Sequence, residues 1–328
     1  MPEKYLKLSR RGLTLGMGAA VLGAPAIVRA ADPWPTRPVK LIVPYAPGGA
    51  GDTIARPWAE RLGLAFNQTF VVENRGGAAG AIGTEAAVRS APDGYTFLAT
   101  TSAPLTALPQ LRKVPYDVRK DLAPVGRMGD TLGGFVIHPK NNLNTLAEMV
   151  AYAKKNPGKL TYGSAGLGTS TQMRLEMLKL RAGIDILHVP YRGSADALND
   201  LLAGNVDMMN EIVVYPHVKA GKLKLLAVNY PTRNPDFPDT PTLTEAGYPN
   251  ADVPIWYSVW APADTPKEIV AAMNARMIEI GNSAAMQKRL REISTAIRPQ
   301  TADEVGAYYD ADRVQIGQLI REANIKLE

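Results

Sequence analysis

Twice along this chain a short apolar run ends in a glycine-rich turn that leads into a helix-like segment. Val39 to Tyr45 is followed by Ala46-Pro47-Gly48-Gly49-Ala50-Gly51-Asp52, then by a helical pattern from Thr53 to Leu64 with Asp52 placed as its N-cap. Leu160 to Gly163 is followed by Ser164-Ala165-Gly166-Leu167-Gly168-Thr169-Ser170-Thr171, then by a helix over Gln172 to Leu180. Strand, tight turn and helix in that order is the local signature of a parallel sheet covered by helices. Two such units predict an α/β chain with two lobes, each a mostly parallel sheet flanked by helices.

The other segments fit this reading. Strands are predicted over Thr69–Glu73, Tyr95–Thr100, Ile186–Val189, Val206–Met209 and Leu223–Val228, with helices over Gly80–Ser90, Leu146–Asn156 and Ala195–Ala203. The tracts Leu122–Pro139 and Ile255–Pro262 read as crossovers between the units. After Pro266 the chain is helical, over Glu268–Asn282, Ala284–Glu292 and Ala302–Glu322. The expected division is a first lobe of residues 32–125 and 256–328 and a second of residues 126–255.

The first 31 residues are different in kind. Lys4, Lys7, Arg10 and Arg11 precede an uncharged, mostly apolar run from Gly12 to Val28, and Ala30-Ala31 suits a cleavage site. Ser9-Arg10-Arg11-Gly12-Leu13 resembles a twin-arginine export signal. Export to a bacterial periplasm is expected. This segment holds a net +4 of the chain's +6, leaving little basic excess elsewhere. No clustered basic face is evident, which argues against nucleic acid as a partner. The chain has no Cys, which removes disulfides, thiol catalysis and a lipid-anchored cysteine together.

A glycine turn opening a helix offers unpaired backbone N–H groups and the positive end of a dipole, a ready site for an anion. Nucleotide readings fail on detail. Gly168 is followed by Thr169 without the Lys of a phosphate-binding loop, and Gly48-Gly49-Ala50-Gly51 does not match G-x-G-x-x-G. His138, His188 and His217 share no metal-ligand spacing, and no G-x-S-x-G elbow occurs. No metal or cofactor is expected. Asp52 is the carboxylate nearest the first turn, as helix cap or, less simply, as a base.

Segments along the chain resemble the Bug-type periplasmic solute-binding receptors of tripartite tricarboxylate transporters. These are WPTRPVKLIVPYAPGGAGDTIAR from Trp34, VVENRGGAAGAIG from Val71, APDGYTF from Ala91, VPYDVRKDLAPVGRM from Val114, PGKLTYGSAGLGTST from Pro157, HVPYRGSADALNDLLAGNVD from His188, HVKAGKLKLLAV from His217 and APADTPKEIVAAMN from Ala261. The resemblance implies a two-lobed binding protein of type II-like architecture, not an enzyme. It would deliver a small organic acid to one small and one large membrane subunit, as a monomer. It implies that the acid lies between the two turns, near Tyr45, Pro47, Gly48, Gly49 and Asp52 on one side and Ser164, Ala165, Gly168, Thr169, Ser170 and Thr171 on the other. Thr101, Ser102, Trp256 and Tyr257 would face the same cleft. The chain departs from the family pattern at Tyr45-Ala46-Pro47, at Gln172 where His is usual, and at Met209-Asn210-Glu211, so these positions, Gln172 and Asn210 among them, are expected to shape the cleft. The alternatives are a periplasmic hydrolase or isomerase with Asp52 or His188 as base, and a sensor subunit that presents its ligand.

Overall fold

The computed structural model describes residues 34–251 and 254–326, so the expected export signal lies outside the described residues. Eleven strands form two sheets. The first takes β1 (Val39–Val43), β2 (Phe70–Asn74), β3 (Thr96–Thr101), β4 (Leu122–Thr131), β10 (Ile255–Pro262) and β11 (Thr295–Ala296), in the order β11-β4-β10-β3-β1-β2. The second takes β5 (Gly133–Ile137), β6 (Thr161–Ser164), β7 (Leu187–Pro190), β8 (Met208–Glu211) and β9 (Lys224–Asn229), in the order β7-β6-β8-β5-β9.

Both sheets are mixed. The pairs β1–β2, β1–β3, β6–β7 and β6–β8 are parallel, as the strand–turn–helix pattern requires. Antiparallel pairing enters where the chain returns: β10 runs against both β3 and β4, and β5 against both β8 and β9. β10 lies inside its sheet and all eight of its residues are buried, which explains an apolar run without alternation.

Helices of eight residues or more among the described residues are α1 (Ala50–Phe66), α2 (Ala81–Val88), α3 (Leu146–Lys155), α4 (Ser170–Ala182), α5 (Ser194–Ala203), α6 (Lys267–Asn282), α7 (Ala284–Glu292) and α8 (Ala302–Glu322). α8 starts in a full capping box, with Thr301 accepting from the Glu304 N–H and the Glu304 side chain accepting from the Thr301 N–H.

The crossovers differ from expectation. β4 carries the first sheet to Thr131, past the expected change at 125/126, and β5 opens the second at Gly133, so the sheets change at Leu132. Ile255–Pro262, which reads from the sequence as a strand within a crossover, is a strand, and it lies in the centre of the first sheet. A third connection comes from α8. Its Val305 and Tyr309 pack in the core beside the first sheet, whereas Ile316 and Leu319 pack with Phe135, Tyr162 and Leu175 in the core of the second. Residues 256–328 therefore do not pack wholly with the first lobe. One helix has its ends in two cores.

Candidate functional site

The two glycine turns are built alike. Gly48 and Gly168 both hold left-handed backbone, at φ 78° and 76°, where a side chain would be strained. Four residues later a polar side chain reaches back to each. Asp52 Oδ2 accepts from the Gly48 N–H at 3.1 Å, and Gln172 Oε1 accepts from the Gly168 N–H at 2.6 Å. Asp52 is thus not the N-cap. It is the third residue of α1, and Gly49 is the cap. Burial raises its pKa, but hydrogen bonds from Arg56 and the Gly48 N–H outweigh this and hold it below the usual carboxylate range. With Arg56 Nε at 2.9 Å and Nη2 at 2.8 Å on its two oxygens, Asp52 is committed to closing the turn.

Fastening each turn from behind leaves its helix end open in front. Gly49 caps α1 and Thr169 caps α4, both extended and neither with a side-chain hydrogen bond to the first turn. A third helix joins them. α5 starts after Gly193, also extended and also without a side-chain cap. The three starts line one cavity of about 30 Å³, with Ala50 and Gly51, Ser170 and Thr171, and Ser194 and Ala195 on its wall. Helix starts without side-chain caps and three dipole ends meet there, an arrangement whose backbone suits an anion.

Side chains complete the wall. Tyr45 lies across the first turn, its hydroxyl 3.1 Å from Thr101 Oγ1, and burial pushes the phenol pKa up, so it stays neutral. Tyr257, Ile255 and Glu211 close the other sides. The lobes touch beside the cavity: Ser102 Oγ and Ser170 Oγ are 3.0 Å apart, and Ser170 Oγ accepts from the Ala103 N–H at 3.2 Å.

Of the residues expected at the site, Tyr45, Pro47, Gly49, Thr101, Ala165, Thr169, Ser170 and Thr171 line this cavity. Gly48, Asp52, Gly168 and Gln172 stand behind it as supports. Ser102 lines the neighbouring cavity with Arg174 and Asp312. Ser164 holds its own turn and His188 Nε2, at 2.6 Å. Asn210 is turned away and accepts from Arg174 Nη1 at 3.0 Å. Trp256 points into the core of the first lobe, edge-on to Tyr308 at 5.6 Å, because adjacent strand residues face opposite ways and Tyr257 takes the cavity side. His188 stacks on Tyr162, and burial lowers its pKa to about 4 with a smaller effect from Lys179. It is a packed neutral imidazole, away from the cavity. Among the described residues no cluster of His, Cys, Asp or Glu could hold a metal ion.

Sequence reasoning missed Gly193, Ser194 and Ala195, and of the Met209-Asn210-Glu211 stretch expected to shape the cleft it is Glu211 that lines the cavity. The signal for the first three was Gly193-Ser194 directly ahead of a helical pattern. Glu211 is only 2% exposed, and burial pushes its pKa up to about 7 against smaller opposing effects of Arg174 and Ser194. The folded state therefore binds this proton more tightly than the unfolded chain. Stability falls as pH rises from 4.5 to about 7, and the cost persists above that. Glu211→Gln removes it, so the substitution should be more favourable at pH 8 than at pH 4 by about 3 kcal/mol. Urea denaturation at the two pH values reads this, and an equal effect at both would contradict it.

Known proteins share the family and the fold. The family model described as "Tripartite tricarboxylate transporter family receptor" matches residues 54–325. The chain belongs to that receptor family. It is 36% identical to protein BugT of Bordetella pertussis, over 98% of this chain and all of that one. The solved structure of the periplasmic binding protein BugD covers 90% of this receptor at 32% identity and a TM-score of 0.84. Rpa4515 of R. palustris, solved with adipate, covers 89% of the receptor and 99% of its own chain at 31% identity and a TM-score of 0.86. MatC from Rhodopseudomonas palustris, solved with bound malate, covers 87% and 99% at 27% identity and a TM-score of 0.82. The receptor is therefore a two-lobed binding protein rather than an enzyme, and the hydrolase and isomerase readings fall.

Proposed function

We propose that this receptor captures a small aliphatic dicarboxylate at the three helix starts and hands it to its membrane transporter. The observation that carries this is the convergence of the uncapped starts of α1, α4 and α5 on one cavity. Two of these helices belong to one lobe and one to the other, so an acid held between them joins the lobes. Adipate in Rpa4515 and malate in MatC support the ligand class. The contacts proposed are Tyr45, Gly49, Thr101, Ala165, Ser170 and Thr171, with backbone N–H groups and bridging water supplying most of the hydrogen bonds.

A cavity of about 30 Å³ has room for roughly two waters. A dicarboxylate enters when the lobes part, by a hinge at Leu132, with α8 as the restraint. The receptor works as a monomer in the periplasm after cleavage near Ala30-Ala31, with one small and one large membrane subunit as partners.

Adipate, malate, succinate and an aromatic acid should be screened by thermal shift, followed by native mass spectrometry of the protein as purified. One intact dicarboxylate per chain and a raised Tm are expected. No shift with any acid would overturn the reading.

A further inference from the structure

The cavity holds one group that a carboxylate receptor does not obviously want. Glu211, at the end of β8, lines the wall beside the first turn of α5 and is almost wholly buried. Its Oε2 is fully enclosed and has no hydrogen-bond partner among the described residues. An ionised carboxylate there would face an incoming carboxylate with little water between them, and two like charges so placed do not both persist.

The surroundings of Glu211 do not neutralise it. Arg174 of α4 is the nearby cation, 2% exposed, but its guanidinium is turned to Asn210 Oδ1 and to Thr131, at 3.0–3.1 Å. No ion pair joins it to Glu211 among the described residues. Tyr45 and Tyr257, from the first turn and from β10, are the other titratable groups that face Glu211, and both phenols are pushed up by burial and stay neutral. Ser194 of α5 is its polar neighbour. Once a ligand excludes the remaining water, a neutral carboxyl can donate its hydrogen to the ligand's carboxylate, which an ionised one cannot.

We propose that Glu211 is a specificity-determining residue of the site, and that it meets the ligand carboxylate as the neutral acid, so that ligand and proton are bound together. The proton comes from solvent to the Glu211 carboxylate as the ligand enters, and it returns there on release. The free group already stands near the midpoint of its titration at neutral pH, with a pKa of about 7, so little work is needed to load it. Selectivity follows. Acids that accept a hydrogen bond at this position are favoured. The proposal rests on the dicarboxylate reading above.

Isothermal titration of adipate and malate into the full mature protein, in phosphate and in Tris, counts the protons taken up. At pH 8 both ligands are fully ionised and Glu211 is mostly so. Uptake approaching about one proton per ligand is expected there, falling towards zero near pH 5.5. Kd should rise about tenfold per pH unit above pH 7. Glu211→Gln cannot titrate, and its Kd should be flat from pH 6 to 9 with no uptake. Binding by the unaltered protein without proton uptake would overturn the proposal and leave the dicarboxylate reading standing. The same uptake in Glu211→Gln would overturn it too, placing the proton elsewhere. If neither acid binds, the dicarboxylate reading fails, and the proposal fails with it.

Discussion

Gly49→Val should abolish dicarboxylate binding in a protein that still folds. Gly49 has φ −78° and ψ 174°, ordinary extended backbone that valine prefers, so glycine is not there for conformational freedom. An added Cβ would find only Ala46 O within 4 Å, at 3.6 Å, so nothing in the fold resists it. The extra atoms go into the cavity, over the first-turn N–H groups of α1. A ligand carboxylate would lose one or two charge-assisted hydrogen bonds worth about 1.5–3 kcal/mol each, a drop of at least about 10-fold and, for two bonds, about 100-fold or more in affinity. Valine is a poor N-cap, so stability should fall by no more than about 1 kcal/mol. Calorimetric binding and thermal melting read the two effects separately. Undiminished affinity would remove the first turn from the site, and collapse of the fold would mean that Gly49 is structural.

Arg174→Met should cost about 3–5 kcal/mol of stability. Arg174 is one of the largest fully buried side chains and ties three parts of the molecule together. From α4 it donates to Asn210 Oδ1 on β8, at 3.0 Å, and to the carbonyl and Oγ1 of Thr131 at the last residue of β4, at 3.1 and 3.0 Å. Thr131 ends the first sheet and Gly133 begins the second, so the guanidinium anchors the crossing itself. Burial lowers its pKa to about 10, opposed by nearby groups of which Glu211 is the foremost, so it remains charged at neutral pH. Methionine fills similar space and donates nothing. It would leave buried acceptors on two strands unpaired and would push the Glu211 pKa further up. Urea denaturation measures the loss, and a change under about 1 kcal/mol would show that the hydrogen bonds are replaced or carry little net energy. Gly133 shows how tightly this place is packed, since a Cβ there would lie 2.0 Å from Arg174 Nη1.

The site was legible where its chemistry is local. Gly48 and Gly168 mark turns that only glycine makes easily, and the polar residue four positions on closes each. Both features sit within one window of sequence. The third helix start announced itself more faintly, because Gly193 is extended at φ −178° and belongs to no glycine run. At two places a one-residue step decided the outcome. Asn210 and Glu211 are neighbours on β8, and Trp256 and Tyr257 on β10; in each pair one residue faces the cavity and the other faces away. Alternation along a strand is certain, but its phase depends on which face meets the other lobe.

By itself the sequence determined the strand–turn–helix units and the glycine conformation of two turns, since each follows from backbone sterics and hydrogen bonding over a few residues. Tertiary structure alone decided that β10 enters between β3 and β4, that α8 has its ends in two cores, and that Glu211 rather than Asp52 faces the ligand cavity. These outcomes join residues far apart in the chain through packing. Many apolar runs can fill the centre of a sheet equally well, and only the complete set of packed surfaces selects among them.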